Sequence, residues 1–227
     1  DGLEKRLETL RSVAVEANKH WAEKFGINQS TAITCVKPSG TVSQLVDSAS
    51  GIHARHNPYY IRTVRGDNKD PLTEFMRESG IPNEPDYLKP DHTTVFSFPM
   101  MAPKGSVCRH DMTAIEQLEI WKIYAKHWCE HKPSVTISVK EDEWVPVGAW
   151  CWDNFQYLSG VSFLPFSDHT YQQAPYQDID EKEYKKLVKK MPTSIDWQKL
   201  QDYEKEDNTK GSQELACTAG VCELVDI

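Results

Sequence analysis

The sequence lacks the long apolar run that a membrane-spanning helix requires. No stretch of its 227 residues approaches the roughly 18 apolar residues needed to cross a bilayer. It also opens without the pattern of a secretory signal peptide. Basic residues are in the minority, with 26 Lys and Arg against 34 Asp and Glu, so the formal net charge is −8. We therefore predict a soluble, cytoplasmic protein whose main activity involves neither membranes nor nucleic acids.

Cysteine is too sparse for a disulfide-stapled fold. The six cysteines lie at positions 35, 108, 129, 151, 217 and 222, and only the last two are close in sequence. A chain of this length can instead bury one sizeable apolar core. Residues 204–214 are charged and almost free of apolar side chains, which is typical of a flexible linker. We therefore predict one folded region, residues 1–203, followed by a tail, residues 204–227.

The rest of the chain is organised around residues 31–65. The β-branched run at 31–36 predicts a buried strand, after which the chain turns at Lys-Pro-Ser-Gly, 37–40, and resumes as a helix at 41–45. Free backbone N–H groups and the helix dipole at such a turn can bind an anion. The turn contains neither GxxxxGK[ST] nor GxGxxG, so it is neither a Walker loop nor a dinucleotide fingerprint. From these residues alone, an ordinary capped connection between strand and helix is an equally good interpretation.

Other segments alternate between strand and helix patterns. Strands are predicted at 59–64, 93–98, 134–139 and 161–164, and helices at 1–25, 71–79, 113–131, 141–157, 180–190 and 194–204. This alternation predicts an α/β fold with mainly parallel strand pairing. Five side chains after the turn, any of which is also typical of a solvated surface, are candidates for contacting a ligand: His53, Arg55, His56, Arg62 and Arg65.

Cys217 and Cys222 enclose four residues that include Gly220. Small residues between them would let the two sulfur atoms approach to disulfide distance. A dithiol on a mobile tail can carry electrons by thiol–disulfide exchange. Half of a zinc site and two unrelated thiols are alternatives that the residues themselves leave open.

Taken together, these segments resemble ribonucleotide reductases, in the form found in the adenosylcobalamin-dependent (class II) enzymes. The segments that carry the resemblance are VKPSGTVS at 36–43, GIH at 51–53, YYIR at 59–62, PSVTI at 133–137, GVSFLP at 160–165 and the terminal cysteine pair. The resemblance covers most of this chain. It implies an α/β fold that is the C-terminal portion of a ten-stranded α/β barrel, with a flexible C-terminal tail.

The resemblance also implies roles for particular residues. Cys217 and Cys222 would be the electron-relay dithiol, reduced by thioredoxin or a glutaredoxin-like protein. The whole enzyme would bind adenosylcobalamin and reduce a ribonucleotide substrate, a triphosphate in the branch that this chain most resembles, by thiyl-radical chemistry. The residues that would bind the substrate phosphates are Pro38, Ser39, Gly40, Thr41, Val42 and Ser43.

Two parts of the family pattern are missing from this sequence. The Asn-Pro-Cys-Gly-Glu segment around the radical cysteine does not occur, and neither does the N-terminal specificity-effector region. We therefore expect a C-terminal fragment or split subunit that is inactive without the N-terminal part of the reductase as its partner. The oxygen-dependent class is a second choice within the family. A non-catalytic redox or zinc-binding α/β module is the alternative outside it.

Overall fold

The computed structural model describes residues 2–40, 42–166 and 171–205. The helices are α1 (Gly2–Phe25), α2 (Val42–Leu45), α3 (Pro71–Glu78), α4 (Ala114–His127), α5 (Trp144–Asp153), α6 (Glu181–Val188) and α7 (Leu200–Tyr203). The strands are β1 (Tyr59–Asp67), β2 (Asn83–Pro85), β3 (Thr93–Met101), β4 (Val135–Val139), β5 (Val161–Pro165) and β6 (Tyr176–Asp178). The described residues divide into two compact units, a first unit within 2–58 and 102–166 and a second within 59–101 and 171–205.

The first unit is built on a pair of parallel strands. β4 and β5 run side by side from Val135 opposite Val161 to Val139 opposite Pro165. β4 buries every second side chain, as expected for a strand with one face against a core. α4 and α5 supply the other side of that core, whose buried members are Ala114, Leu118, Trp121, Val135, Ile137, Val139, Val147 and Trp150.

Two local features hold this core in place. The Trp121 indole N–H is satisfied although it is buried, because it donates to the Pro133 carbonyl at 3.1 Å. Gly160, directly before β5, has a left-handed φ of +64°, and a Cβ there would lie 2.6 Å from the Pro133 oxygen. Only glycine therefore fits at the point where the chain enters β5.

α4 begins with a capping box formed by Thr113 and Glu116. The Thr113 hydroxyl accepts from the Glu116 N–H at 3.1 Å, and the Glu116 carboxylate accepts from the Thr113 N–H at 2.8 Å. These hydrogen bonds, first from the backbone and then from the hydroxyl of Thr113, hold the pKa of Glu116 below its ordinary value of 4.5. The helix ends at His127, four residues before the predicted end.

The second unit is an antiparallel sheet with the strand order β2-β3-β1-β6. β1 and β3 form its longest pair, from Tyr59 opposite Met101 to Asp67 opposite Thr93. α3 begins at the Asp70 cap and packs Phe75 inward, where Trp197 and Tyr203 contact its ring. The buried apolar residues of this unit are Tyr60, Phe75, Ile81, Val95, Phe96 and Ala174.

Two predictions about strands are wrong. Residues 31–36 are extended but form no strand, because their neighbour contacts them through separate hydrogen bonds rather than a regular ladder. The pairing is also not mainly parallel: within the described residues, β4–β5 is the one parallel ladder between strands, and the other ladders are antiparallel. An alternation of helices and strands does not by itself encode strand direction, since antiparallel sheets with helices on one face give the same order.

The described residues close no barrel, and their six strands lie in two separate sheets. The fold is therefore mixed α/β, and the ten-stranded barrel stays a prediction for the whole enzyme. Within the part of the chain that the structure describes, no helix has both the length and the apolar character to cross a membrane.

Candidate functional site

The predicted phosphate-binding residues that the structure describes, 38–40 and 42–43, lie before and at the start of α2. Pro38 and Gly40 are exposed, Ser39 is half-buried and Thr41 lies outside the described residues. α2 is a single helical turn of four residues, so its helix dipole is too small to bind an anion by itself. An anion at this turn would therefore depend on individual hydrogen-bond donors.

Ser39 closes the turn through three hydrogen bonds. Its hydroxyl accepts from the Ser43 N–H at 3.2 Å, which caps the first turn of α2. Its N–H donates to the Ser50 hydroxyl at 2.9 Å, and the same hydroxyl donates back to the Ser39 carbonyl at 2.9 Å. Ser50 thus uses both its donor and an acceptor position on one residue of the turn, and fixes the turn's backbone.

The turn still presents free donors. Within the described residues, the backbone N–H groups of Gly40 and Val42 donate no hydrogen bond. Ser43 is only 3% exposed, and its Oγ has no partner among the described residues. A buried hydroxyl without a partner is uncommon and costs free energy.

Lys37 places a positive charge at the start of the turn. Its Nζ donates to the Lys132 carbonyl and to the Ser134 hydroxyl, each at 3.0 Å. These contacts hold the ammonium group in position and join the turn to the segment that leads into β4.

The loop after α2 returns to the turn through Gly51 and His53. Gly51 has a φ of +59°, and a Cβ there would lie 3.0 Å from the Lys37 oxygen, so the close approach requires glycine. His53 Nε2 accepts from the Thr136 N–H at 2.9 Å, and Nδ1 lies 2.7 Å from the Ser50 carbonyl. An acceptor at Nε2 and a donor at Nδ1 define the neutral tautomer that carries its proton on Nδ1. Both ring nitrogens are therefore used to position the loop against β4.

Arg55 is buried and supports the same loop. One guanidinium nitrogen donates to the Asp47 carboxylate at 2.6 Å and the other to the Ser48 carbonyl. Asp47 adopts a left-handed φ of 51°, which brings its carboxylate to the arginine. Arg55 therefore neutralises Asp47, which makes it a structural residue here.

The other arginines that the sequence singled out belong to the second unit. Arg62 donates to the Pro175 carbonyl at 3.1 Å and lies over the Tyr176 ring. Arg65 forms an ion pair with Asp86 at 2.8 Å. The structure therefore gives both side chains partners within their own sheet.

The structure brings together three of the segments that carried the family resemblance. Segments 36–43, 51–53 and 133–137 meet in the first unit through Lys37, Gly51 and His53. Sequence reasoning missed Ser50, which is eleven residues from its partner and lies in a polar loop without a local signal. It also missed the structural role of Lys37, whose partners are about 95 residues away.

The predicted electron-relay residues, Cys217 and Cys222, lie outside the described residues. Burial raises the pKa of the thiols of Cys108, Cys129 and Cys151. A search of the described ranges finds no group of three or more His, Cys, Asp or Glu side chains that could hold a metal ion.

Comparison with known proteins gives a consistent set of relatives. The chain is 34% identical over 189 residues to a probable adenosylcobalamin-dependent ribonucleoside-triphosphate reductase of Dictyostelium discoideum, which covers 82% of this chain and 25% of that protein. It is 32% identical over 177 residues to the adenosylcobalamin-dependent ribonucleoside-triphosphate reductase of Euglena gracilis, covering 77% and 24%. The corresponding enzyme of Lactobacillus leichmannii is 26% identical over 196 residues, covering 85% and 26%.

A solved structure has the same fold over most of the chain. A crystal structure of a B12-dependent (class II) ribonucleotide reductase superposes with a TM-score of 0.73 at 25% identity, covering 88% of this chain and 28% of that one. No protein-family model matches the sequence. The chain spans about a quarter of the length of these curated relatives.

Proposed function

We propose that this chain, which is homologous to part of the adenosylcobalamin-dependent ribonucleoside-triphosphate reductases, is the C-terminal portion of such an enzyme. In this proposal the whole enzyme reduces a ribonucleotide to a deoxyribonucleotide by thiyl-radical chemistry. The chain contributes the substrate phosphate site and the electron-delivery tail. The radical cysteine belongs to the remaining part of the reductase, because its sequence motif does not occur among these residues.

The observation that carries the phosphate site is the buried, unpartnered hydroxyl of Ser43. A phosphate oxygen above the turn would accept from this hydroxyl and from the free N–H groups of Gly40 and Val42. The Lys37 ammonium group lies at the start of the same turn and adds one positive charge. The site would bind the substrate through its phosphates and thereby fix the position of the ribose relative to the rest of the enzyme.

The relatives are named adenosylcobalamin-dependent, and we propose the same cofactor for the whole enzyme. When bound, it supplies the radical chemistry. A corrin ring binds in a deep and largely apolar cleft. A pocket along α6 does not fit it, because that pocket is lined by charged side chains: Glu181, Lys182, Lys185, Lys186 and Lys189. We therefore assign no residue of this chain to the cofactor.

The tail would deliver electrons. In the proposal, thioredoxin or a glutaredoxin-like protein reduces the Cys217–Cys222 disulfide to a dithiol. That dithiol then passes two electrons and two protons to a disulfide elsewhere in the enzyme, and is itself oxidised again. The proposal for these two residues depends on the family resemblance alone.

Exposed apolar side chains on the first unit support a partner chain. On α5, Val145 and Trp152 are 84% and 82% exposed, and their spacing of seven residues places them on one side of the helix. Phe155, just after the helix, is 75% exposed. Surfaces of this kind mark protein contacts. We propose that the remaining part of the reductase covers them.

The deciding experiment is reconstitution. This chain is mixed with a polypeptide that supplies the upstream barrel and its radical cysteine, together with adenosylcobalamin, a ribonucleoside triphosphate and a thioredoxin system. The expected result is deoxynucleotide formation only when both polypeptides and the cofactor are present.

Other outcomes would contradict parts of this proposal. Turnover by this chain alone would remove the need for a partner. Turnover with a diiron radical subunit in place of cobalamin would move the protein to the oxygen-dependent class. No turnover under either condition, with zinc retained by the tail cysteines, would support the alternative redox or metal module.

A further inference from the structure

Two cysteines outside the proposed relay lie on neighbouring segments of the first unit. The Glu130 N–H donates to the Thr34 carbonyl at 2.9 Å, and the Trp128 indole N–H donates to the Cys35 carbonyl at 3.1 Å. These bonds come from the residues on both sides of Cys129. Cys35 and Cys129 are therefore held beside each other by the backbone that carries them.

The same bonds limit the distance between the two residues. With standard bond lengths, the hydrogen bond from Glu130 to Thr34 keeps the Cα atoms of Cys35 and Cys129 within about 8 Å of each other. Disulfides span Cα separations up to about 7 Å, so the pair is at or near bonding range. In addition, the Val36 N–H faces the Cys129 sulfur, and the charge of a Cys35 thiolate reaches that sulfur. Both sulfur atoms are therefore beside the Cys35–Val36 peptide.

The two thiols differ in their exposure to solvent. Cys35 is exposed and Cys129 is half-buried. Burial, followed by the charge of Cys35, raises the pKa of Cys129, while the Val36 N–H opposes this shift. Cys35 is therefore the thiol that meets an oxidant first, and Cys129 is the thiol that follows.

We propose that Cys35 and Cys129 are an oxidation site, at which a peroxide converts the two thiols into an intramolecular disulfide. The Cys35 thiolate attacks one peroxide oxygen, the O–O bond breaks, and a sulfenic acid forms with release of water. The Cys129 sulfur then attacks the Cys35 sulfur, the S–O bond breaks, and a second water leaves. Two thiols and one hydrogen peroxide thus give one disulfide and two waters, with two electrons passed to the peroxide.

The bond would act on the phosphate turn. Cys35 precedes Lys37 by two residues, and Cys129 precedes the Lys132 carbonyl and Ser134 hydroxyl that hold the Lys37 ammonium group. A disulfide would therefore tie the entrance of the turn covalently to the segment that already contacts it. This inference rests on the two segments alone and does not depend on the proposed reductase activity.

The test is a mapped cross-link on the full chain. The fully reduced protein is treated with one to two equivalents of hydrogen peroxide, its free thiols are blocked with N-ethylmaleimide, and it is digested with trypsin without reduction. Trypsin does not cleave before proline, so Cys35 falls in the peptide 25–55 and Cys129 in the peptide 127–140, each with a single cysteine. The expected result is a linked pair of these two peptides that dithiothreitol separates.

Matched variants define the specificity. Cys35→Ser and Cys129→Ser should each abolish the linked pair. Cys151→Ser, which removes another half-buried thiol, should leave it unchanged, and so should the double change Cys217→Ser with Cys222→Ser. The inference is overturned if both peptides carry maleimide while the tail pair is oxidised. It is equally overturned if Cys35 links only to a tail cysteine or to a second chain.

Discussion

Replacing Ser43 with alanine should change stability and phosphate binding in opposite directions. The buried hydroxyl has no partner among the described residues, so the folded chain carries its desolvation cost without a compensating hydrogen bond. Such a group costs about 1–3 kcal/mol, and removing it should raise the free energy of unfolding by about 1 kcal/mol. A hydroxyl bond to a charged phosphate oxygen contributes about 1.5–3 kcal/mol, so the same variant should bind phosphate about 10- to 100-fold more weakly.

Urea unfolding with and without inorganic triphosphate measures both effects. With a slope of about 2 kcal/mol per molar urea, the urea midpoint of Ser43→Ala should rise by about 0.5 M without the ligand. When the ligand is added, the midpoint of the variant should rise by less than the midpoint of the unaltered chain. Ser50→Ala is the matched control and should lower stability by about 1–2 kcal/mol, because Ser50 makes two hydrogen bonds in the turn. A loss of 1 kcal/mol or more in Ser43→Ala without ligand would refute the reasoning, since the hydroxyl would then have a partner.

Three further predictions concern the core, the helix cap and the tail. Gly160→Ala should destabilise the chain by about 2–4 kcal/mol in urea unfolding, because the new Cβ would meet the Pro133 carbonyl. The control Gly148→Ala, whose Cβ would enter open space on α5, should be neutral or stabilising. The lowered pKa of Glu116 means that its cap stabilises α4 above pH 4.5 and is lost as the pH falls through the pKa of the folded state. Amide protection factors in the first turn of α4, which are corrected for the intrinsic pH dependence of exchange, should therefore fall on acidification, and Glu116→Gln should remove that dependence. In the reconstituted enzyme, Cys217→Ser should abolish thioredoxin-driven turnover but spare a single turnover by pre-reduced enzyme, and multiple turnovers would contradict the relay role.

Local patterns predicted much of the first unit. The helices predicted at 1–25 and 113–131 and the strand predicted at 134–139 are confirmed as α1, α4 and β4, because each pattern depends on residues a few positions apart. The resemblance to adenosylcobalamin-dependent reductases, which rested on irregular motifs rather than periodicity, is confirmed by the relatives. Sequence reasoning therefore worked where the signal is either strictly local or a long, specific motif.

Features that depend on distant partners could not be predicted. A β-branched run at 31–36 favours an extended backbone, but a strand also needs a neighbour in register, and here the neighbour contributes single bonds such as that from Trp128 to Cys35. In the sequence, Ser50 and His53 are simply polar residues in a loop. Their roles became evident only from their hydrogen-bond partners in the structure, Ser39 and Thr136. The direction of the β1 and β3 strands was likewise open until their pairing was seen.

The hydrogen bonds of His53 and Arg55 also set the charge balance around the turn. His53 is held in a neutral tautomer by Thr136, and the charge of Arg55 is cancelled by Asp47. Lys37 is then the cation that the described chain itself brings to the turn, against the several negative charges of a nucleoside triphosphate. Recognition of phosphate at this position would accordingly depend on short-range donors, which dissolved salt screens little. The remaining countercharge would have to arrive with the substrate's own cation or from the polypeptide that completes the enzyme.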